Sequence, residues 1–346
     1  VGLSTALFYA QQRPKAKIVV LESGNRPSGA SLRNAGFACF GSVGEIADDL
    51  KHSSLEATIA LIGARRRGLA LLRKIHGDKV LSLDACGGDE LFFSKEKEAA
   101  EQALDLLPRL NQSLLEAGVF TKELYRIVRP SNWPQNTFKG LHLAIFHAEE
   151  AALNPVHLWQ SLLHKCLSLG VRYQPGVALT ALPDTEEGKG YLCSCSGVEF
   201  RTRRLVMATN AFAHHFLPNQ VQPARAQVLV SAPLGRDLPR GTFHHHKGYN
   251  YFRFVEGRLL LGGGRHLNPQ AEENLEANTS EEIQHYLQTF AQEKLGIEEL
   301  QIAHRWSGFM GLGNAKMPKL EKDEEGRVWA VRLGGMGVAL GTEMGQ

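Results

Sequence analysis

Gly2 and Glu22 have the residue types and the separation that a dinucleotide-binding site requires. In a Rossmann-type site, glycine lets the backbone approach the pyrophosphate, a helix N-terminus faces its charge, and an acid about 20 residues further along binds the ribose hydroxyls. If Gly2 is the third glycine of a Gly-x-Gly-x-x-Gly turn, the first two glycines and the leading strand precede residue 1. The same pair also fits an ordinary helix followed by a strand, so the interpretation needs support from elsewhere in the chain.

The segments around these two residues have the periodicities of a βαβ unit. Residues 3–12 carry apolar groups at helical spacing and are followed by Pro14, and residues 17–22 form a short apolar run that ends in an acid. Such a run is typical of a parallel strand that is buried on both faces. Residues 23–44 are rich in Gly, Ser and Asn and have no period, which predicts a long functional loop.

Three further motifs accompany this unit. They are Gly-Ala-Ser-Leu-Arg-Asn-Ala-Gly over 29–36, Ala-Thr-Asn-Ala over 208–211 and Gly-Gly-Met-Gly-Val-Ala-Leu over 334–340. In this combination and order the chain resembles the FAD-dependent oxidoreductases of the D-amino-acid oxidase superfamily, the group that contains glycine oxidase, sarcosine oxidase and gamma-glutamylputrescine oxidase. The resemblance spans nearly the whole chain, and it implies FAD as the cofactor.

The resemblance also implies which residues contact FAD. Glu22 would bind the adenosine ribose, Val177 would meet the adenine through its backbone, and Gly36 would let the chain pass close to the flavin ring. The other predicted cofactor residues would follow the pyrophosphate and the flavin: Gly2, Ser31, Arg33, Asn34, Ala208, Thr209, Asn210, Gly334, Gly335, Met336, Gly337 and Val338.

Tyr251, Arg253 and Arg265 are the candidates for contact with substrate. The strands around them resemble a pair that, in gamma-glutamylputrescine-oxidase-like members, places an aromatic wall and an arginine near the flavin; a plain hairpin with an exposed cation is the alternative for each residue. Small amino-acid oxidases of the family hold the substrate carboxylate with two arginines, whereas here Met310 stands at one position and a glycine at the other. This departure favours an amine, or a substrate whose anionic group is held elsewhere. A catalytic base is not required, because a neutral amine can pass hydride to the flavin once it is positioned.

Composition and charge narrow the choice of partners. The 39 basic and 36 acidic residues give a formal net charge of +3 without a basic tract, so we predict no nucleic-acid partner. Without a leader-like start or an apolar run of about 20 residues, we expect a cytoplasmic protein with no membrane span.

The five cysteines and the triple histidine at 244–246 are weak candidates for chemistry. The cysteines are too few and too scattered for a disulfide framework or a zinc site. Cys39 lies in the predicted flavin loop, but a buried inert thiol is favoured there, as is a packing role for Cys193 and Cys195. Imidazoles are good ligands of transition metals, but three successive histidines cannot face one ion from a strand. We therefore favour a turn or a strand end at 244–246 and predict no metal.

Periodicity predicts the order of the elements. We expect helices over 3–12, 45–76, 95–118 (kinked or divided near Pro108), 156–169 and 280–295. We expect strands over 17–22, 91–94, 124–128, 141–146, 171–173, 176–182, 191–195, 205–209, 226–232, 249–255, 258–262, 301–306 and 328–331.

Pattern and resemblance together predict an α/β protein with two interleaved domains. The Rossmann-like FAD-binding domain would comprise 1–80, 150–220 and 325–346, with its N-terminal strand missing, and an α+β substrate domain of 81–149 and 221–324 would be built on a mostly antiparallel sheet. The implied reaction is oxidation of the C–N bond of a small-molecule amine or amino acid to an imine, with electrons passing through FAD to O2 or another acceptor. Two alternatives stay open: an FAD-dependent dehydrogenase of a hydroxy acid or polyol phosphate, and a flavin-binding subunit without catalysis.

Overall fold

The computed structural model describes residues 1–134, 137–186, 190–195, 197–314 and 316–346. The α-helices within these ranges are α1 (Gly2–Gln12), α2 (Ala30–Arg33), α3 (Val43–Asp49), α4 (Leu55–His76), α5 (Asp78–Leu81), α6 (Lys97–Glu116), α7 (Pro155–Ser168), α8 (Glu281–Glu293) and α9 (Gly337–Leu340). Short 3-10 turns form at Pro130–Asn132, Asn210–His215, Arg265–Leu267 and Glu343–Gly345.

The strands in the same ranges are β1 (Val19–Glu22), β2 (Phe37–Ala38), β3 (Gly88–Phe93), β4 (Tyr125–Val128), β5 (Leu141–His147), β6 (Ala151–Ala152), β7 (Arg172–Pro175), β8 (Asp184–Glu186), β9 (Gly190–Cys195), β10 (Val198–Thr202), β11 (Val206–Met207), β12 (Gln222–Ser231), β13 (Thr242–His245), β14 (Asn250–Val255), β15 (Arg258–Gly263), β16 (Ile302–Leu312), β17 (Lys319–Lys322) and β18 (Val328–Val331).

Eight strands form the largest sheet, in the order β16-β12-β15-β14-β13-β3-β5-β4. The pairs are antiparallel except for β13 and β3, which run parallel. The mostly antiparallel sheet predicted from the sequence is therefore confirmed. All eight strands fall within 88–147 and 222–312; the division of the chain into two domains stays a prediction.

Alternating side chains of β3 build a core on each face of this sheet. Leu91 and Phe93 pack in a cluster that includes Leu287 of α8, while Phe92 packs on the other face in a cluster that includes Leu110 of α6. Each fully buried side chain of this kind contributes roughly 1.5–3 kcal/mol. Helices thus pack on both faces of the sheet. The half of the sheet formed by β16, β12, β15 and β14, here called the β12–β16 half, also forms one wall of a cavity.

The Rossmann-like part is made of shorter pieces. β1 pairs parallel with β7, and β11 pairs parallel with β18, in two separate sheets. α1 and α7 pack together beside β1 through a cluster that includes Leu7, Leu162 and Val171. The carboxyl ends of β1, β11 and β18 all lead to residues that line the cavity.

Three predictions of secondary structure need correction. The helix expected over 45–76 is divided into α3 and α4, because the Ser54 hydroxyl accepts a hydrogen bond from Ala57 N (3.2 Å) and starts a new helix there. α6 runs through Pro108 as one helix, so the expected helix is not divided there. The strand expected over 176–182 is wrong: Gly176 (φ +72°) turns the chain after β7, and Leu179 makes only an isolated bridge to Cys195.

None of the helices in the described ranges is both long and apolar enough to cross a membrane.

Candidate functional site

A cavity of about 2820 Å³ lies between the Rossmann-like part and the β12–β16 half of the large sheet. The cavity includes the groove between β1 and β11 and continues to the β12–β16 half of the large sheet. The lining includes most residues predicted from the sequence: Gly2, Glu22, Ser31, Arg33, Asn34, Val177, Ala208, Thr209, Asn210, Tyr251, Arg265, Gly334, Gly335, Met336, Gly337 and Val338. Gly36 and Arg253 are the two exceptions.

At one end of the cavity, the start of α1 meets the ends of β1 and β11. A Cβ at Gly2 would lie 3.5 Å from the Ala208 Cβ, an ordinary contact distance, so α1 begins beside β11. α1 has no side-chain cap at its N-terminus, and the first N–H groups of a helix are free to bind an anion. Glu22 accepts a hydrogen bond from Gly24 N (3.1 Å) on its Oε1 and one from Val177 N (3.0 Å) on its backbone oxygen. Glu22, predicted to bind the ribose, and Val177, predicted to meet the adenine, are thus neighbours.

The loop after β1 is shaped by its own polar side chains. Asn34 Nδ2 donates to Ala30 O (2.9 Å), and its Oδ1 accepts from Gly36 N (2.8 Å). Arg33 Nη1 donates to Ser307 O (2.7 Å), while Trp306 Nε1 donates to Arg33 O (3.0 Å). Asn34 therefore shapes the loop, and the reciprocal pair fixes the loop to β16.

Gly36 is needed for a different reason from the one the family resemblance implies. Its φ is +77°, and a Cβ there would lie 2.1 Å from Leu153 O. Leu153 N also donates to Gly36 O (2.8 Å), so two backbone segments are in contact. The close approach that requires glycine in this structure is to the Leu153 carbonyl, since Gly36 does not line the cavity.

The turn before α9 approaches the cavity from the opposite side. Arg332 and Gly334 both have positive φ (64° and 58°). Asn210, at φ 46°, accepts a hydrogen bond from Leu333 N (3.3 Å) on its Oδ1. A Cβ at Gly311 would come within 3.0 Å of that same oxygen, so Gly311 is a packing requirement that the sequence motifs do not indicate.

An aromatic wall, formed by Phe37, Tyr251 and His244, lies beside this turn. The Phe37 ring makes edge contacts with Tyr251 (5.8 Å) and His244 (5.4 Å). Cys39 Sγ lies 2.9 Å from Met336 Sδ, which links the wall to the 334–338 turn. Burial raises the pKa of Tyr251 to about 12, so its phenol stays neutral. Phe37 and His244 were not among the predicted site residues.

The two arginines predicted to contact substrate occupy different places. Arg265 lines the cavity, with its guanidinium 5.5 Å from the Tyr249 ring centroid. Arg253 lies behind the loop, where Nη2 donates to Leu153 O (3.2 Å). Its Nε is buried without a partner in the described residues, and burial lowers the pKa of Arg253. The structure therefore places Arg253 beside the Gly36–Leu153 contact and away from the cavity surface.

Charged side chains line the far end of the cavity. This charged end consists of Glu45, Asp48 and Asp49 of α3 together with Arg65 of α4, Lys247 and Lys316. Lys316 Nζ lies 2.7 Å from both Glu45 and Asp49, and Lys247 Nζ lies 2.8 Å from Asp48. The hydrogen bond from Lys247 lowers the pKa of Asp48 to about 2. Burial raises the pKa of Glu45, but Lys316 and neighbouring cations outweigh burial and lower it. Sequence patterns do not indicate this charged end, because its residues come from distant segments of the chain.

The thiols and the triple histidine have structural surroundings. Burial raises the pKa of Cys39 well above its ordinary value, and it raises that of Cys193 to about 11, so both are inert thiols. His244 and His245 belong to β13, and His246 follows in the turn, as the predicted strand end requires. The described residues contain no cluster of three or more His, Cys, Asp or Glu side chains arranged to hold a metal.

The cavity suits a dinucleotide, because the start of α1 at Gly2 lies at the same end as Glu22 and the glycine turn at 334–338 lies beside the aromatic wall. This combination defines a flavin-dependent oxidoreductase site. The chain belongs to the DAO family, described as FAD-dependent oxidoreductases, whose family model matches residues 1–346. FAD is therefore the cofactor, and the prediction of an FAD-dependent oxidoreductase with an α/β fold is confirmed.

Solved structures have the same fold at low sequence identity. Glycine oxidase from Geobacillus kaustophilus superposes with a TM-score of 0.79 at 18% identity over 100% of this chain and 90% of that chain. Iminodiacetate oxidase from Chelativorans sp. BNC1 gives 0.75 at 18% over 99% and 90%. FAD-bound L-alpha-glycerophosphate oxidase from Mycoplasma pneumoniae gives 0.75 at 12% over 100% and 90%. A search of curated proteins gave no match.

Proposed function

We propose that the protein oxidises the C–N bond of an amine or amino acid to an imine, which then hydrolyses, and that O2 or another acceptor reoxidises the cofactor. The observation that carries this proposal is the charged end of the cavity. Glu45, Asp48 and Asp49 line it, and the lysines there are already bound to these carboxylates. Because Lys247 and Lys316 are paired with these carboxylates, neither lysine is offered to a phosphate, which favours an amine over a polyol phosphate as the substrate.

Arg265 is our candidate for holding a substrate carboxylate. Met310 lines the cavity on β16 where small amino-acid oxidases would have an arginine. Arg265 also lines the cavity and makes no ion pair with any described residue. In our proposal, Arg265 binds the anionic group of the substrate when there is one, because a guanidinium binds a carboxylate through two parallel hydrogen bonds.

The cofactor residues follow from the same geometry. We assign Glu22 to the ribose and Val177 to the adenine, because they are hydrogen-bonded neighbours at the end of the cavity where α1 begins. The start of α1 at Gly2 would face the pyrophosphate. Ser31, Arg33, Ala208, Thr209 and Asn210 would line its path, and Gly334–Val338 would border the flavin.

The side chains of the aromatic wall position the substrate against the ring. Bound FAD supplies the two-electron acceptor, which receives hydride from the carbon next to nitrogen. Phe37 and Tyr251 present apolar surface and a neutral phenol, so they orient the substrate and exclude water near the reacting carbon.

The five unpaired thiols agree with our prediction of a cytoplasmic location.

Anaerobic reduction of the holoenzyme tests this proposal. We expect amines or amino acids to bleach the flavin absorbance, and we expect matched 2-hydroxy acids and polyol phosphates to leave it unchanged. Bleaching by the hydroxy compounds alone would instead assign the protein to the hydroxy-acid or polyol-phosphate dehydrogenases. A flavin that binds but is bleached by neither class would indicate a non-catalytic subunit.

A further inference from the structure

His244, one of the three residues of the aromatic wall, forms a buried pair with Glu150. His244 Nε2 lies 2.6 Å from Glu150 Oε1, and the Thr242 hydroxyl donates to the same oxygen (2.7 Å). The side chain of Glu150 is only 2% exposed. A carboxylate held this way fixes the position of the imidazole ring.

The other side of the imidazole faces the cavity. His244 is among the lining residues, and it lies directly across from Tyr251 in the β13–β14 register. Phe37 touches both rings, and the neighbouring Cys39 contacts Met336 of the flavin-side turn. Nδ1 of His244 has no hydrogen-bond partner among the described residues. One ring nitrogen is therefore available next to the place proposed for the reacting carbon.

A substrate amine arrives mostly protonated at neutral pH, and an ammonium group has no lone pair to assist departure of hydride from its carbon. When Nε2–H donates to Glu150, the neutral imidazole carries its lone pair on Nδ1. We propose that His244, oriented by Glu150, is the general base that deprotonates the substrate ammonium. This inference rests on the proposed amine oxidation.

The step balances as a proton transfer. One N–H bond of the ammonium breaks, its electron pair stays on nitrogen, and a new N–H bond forms at Nδ1 of His244. The imidazolium produced is stabilised by the Glu150 carboxylate. No electrons change hands until hydride leaves the adjacent carbon.

The surrounding charges suit this role. Burial lowers the pKa of His244, but the charge and hydrogen bond of Glu150 outweigh burial and raise it above its ordinary value. The raised pKa makes the imidazole a stronger proton acceptor, and the ring acts as a base above that pKa. The other titratable groups that act on His244 are Glu45 from α3, Asp89 and Glu90 from β3, and His147 from β5.

The rate of anaerobic flavin reduction as a function of pH tests the base. In the wild type this rate should fall as pH drops through the pKa of His244, because the protonated ring cannot accept a proton. His244→Asn should be slower by about 100-fold at neutral pH and should recover toward the wild-type rate at high pH, where the substrate is already neutral. His246→Asn is the matched control: its side chain is 44% exposed in the turn, asparagine tolerates its φ of 52°, and its pH profile should equal that of the wild type.

Glu150→Gln tests the same proposal through the residue that orients His244. A neutral glutamine removes the negative charge that stabilises the imidazolium, so this variant should also lose rate at neutral pH and recover at high pH, where the substrate is already neutral. For both variants the loss should shrink for an amine of lower intrinsic pKa. A loss that is equal at every pH and for every amine, or an unchanged profile in both folded variants, would overturn the proposal. Failure of amines to bleach even the wild type at any pH would instead overturn the proposed function.

Discussion

Glu22 offers a direct test of the cofactor site at the scale of one residue. Glu22→Ala should weaken FAD binding by about 1–3 kcal/mol, which is roughly 5- to 150-fold in Kd, because the ribose hydrogen bonds are lost. Its backbone bond to Val177 remains, so the fold should survive. Titration of apoprotein with FAD measures the effect, and Glu101→Ala on the exposed face of α6 is the control with unchanged Kd. Equal affinities in the two variants would remove Glu22 from the site.

Substitution of Arg265 and substitution of Arg253 should have different effects on kcat/KM, because only Arg265 lines the cavity. With an amine substrate that carries a carboxylate, Arg265→Met should lower kcat/KM by at least about tenfold, because one charge-assisted hydrogen bond to the substrate is lost. Arg253→Met should keep kcat/KM within about twofold, since its guanidinium contacts Leu153 O behind the loop. Steady-state rates at matched flavin content decide between these outcomes. The reverse order would restore Arg253 as the substrate residue.

Residues in local motifs could be predicted from the sequence, whereas residues brought together by the fold could not. Gly2, Glu22 and the 334–338 turn carry their signal within a short stretch of chain. The partner of His244 is Glu150, which is 94 residues away, and no spacing rule connects the two. The triple histidine was therefore interpreted as a strand end without an acidic partner, and the fold supplied that partner.

At the scale of elements, Gly36 is expected to hold the loop strand β2 against the segment that leads into α7. Gly36→Ala should lower the free energy of unfolding by more than about 3 kcal/mol, because the left-handed backbone cost of roughly 1–2 kcal/mol is added to a clash with Leu153 O. Gly118→Ala is the matched control: its φ is +64°, and a Cβ there meets nothing within 4 Å. Chemical denaturation measures both. Equal losses would show that the contact with Leu153 is unimportant.

Elements with strong periodicity were predicted well, and short or unusual ones were not. α1, α7 and α8 follow the expected ranges closely because their apolar positions repeat at helical spacing. For β13 the sequence predicts only a turn or a strand end at 244–246, since this strand has buried histidines where apolar residues are expected. Residues 176–182 have the composition of a strand, but Leu179 and Leu182 pack into clusters without a ladder.

At the scale of the whole molecule, the class of fold was predictable and the strand order was not. Ordered glycine turns and strand ends indicated the cofactor half, and alternating apolar runs indicated the sheet of the other half. The order β16-β12-β15-β14-β13-β3-β5-β4 places chain-distant strands side by side. Only tertiary contacts decide such neighbours, because periodicity does not say which strands pair.

The parallel junction between β3 and β13 joins two halves of the large sheet that are far apart in the chain. A side chain at Gly88 would come within 2.6 Å of Glu150 and 2.8 Å of Thr242, so this seam admits little variation. A slip of one residue would turn His244 to the opposite face and leave Glu150 as an unpaired buried charge, at a cost of about 3–5 kcal/mol. Glu150 thus both fixes the register of the two halves of the sheet and orients the imidazole of His244. Evolution toward another substrate through this residue would have to preserve assembly of the sheet.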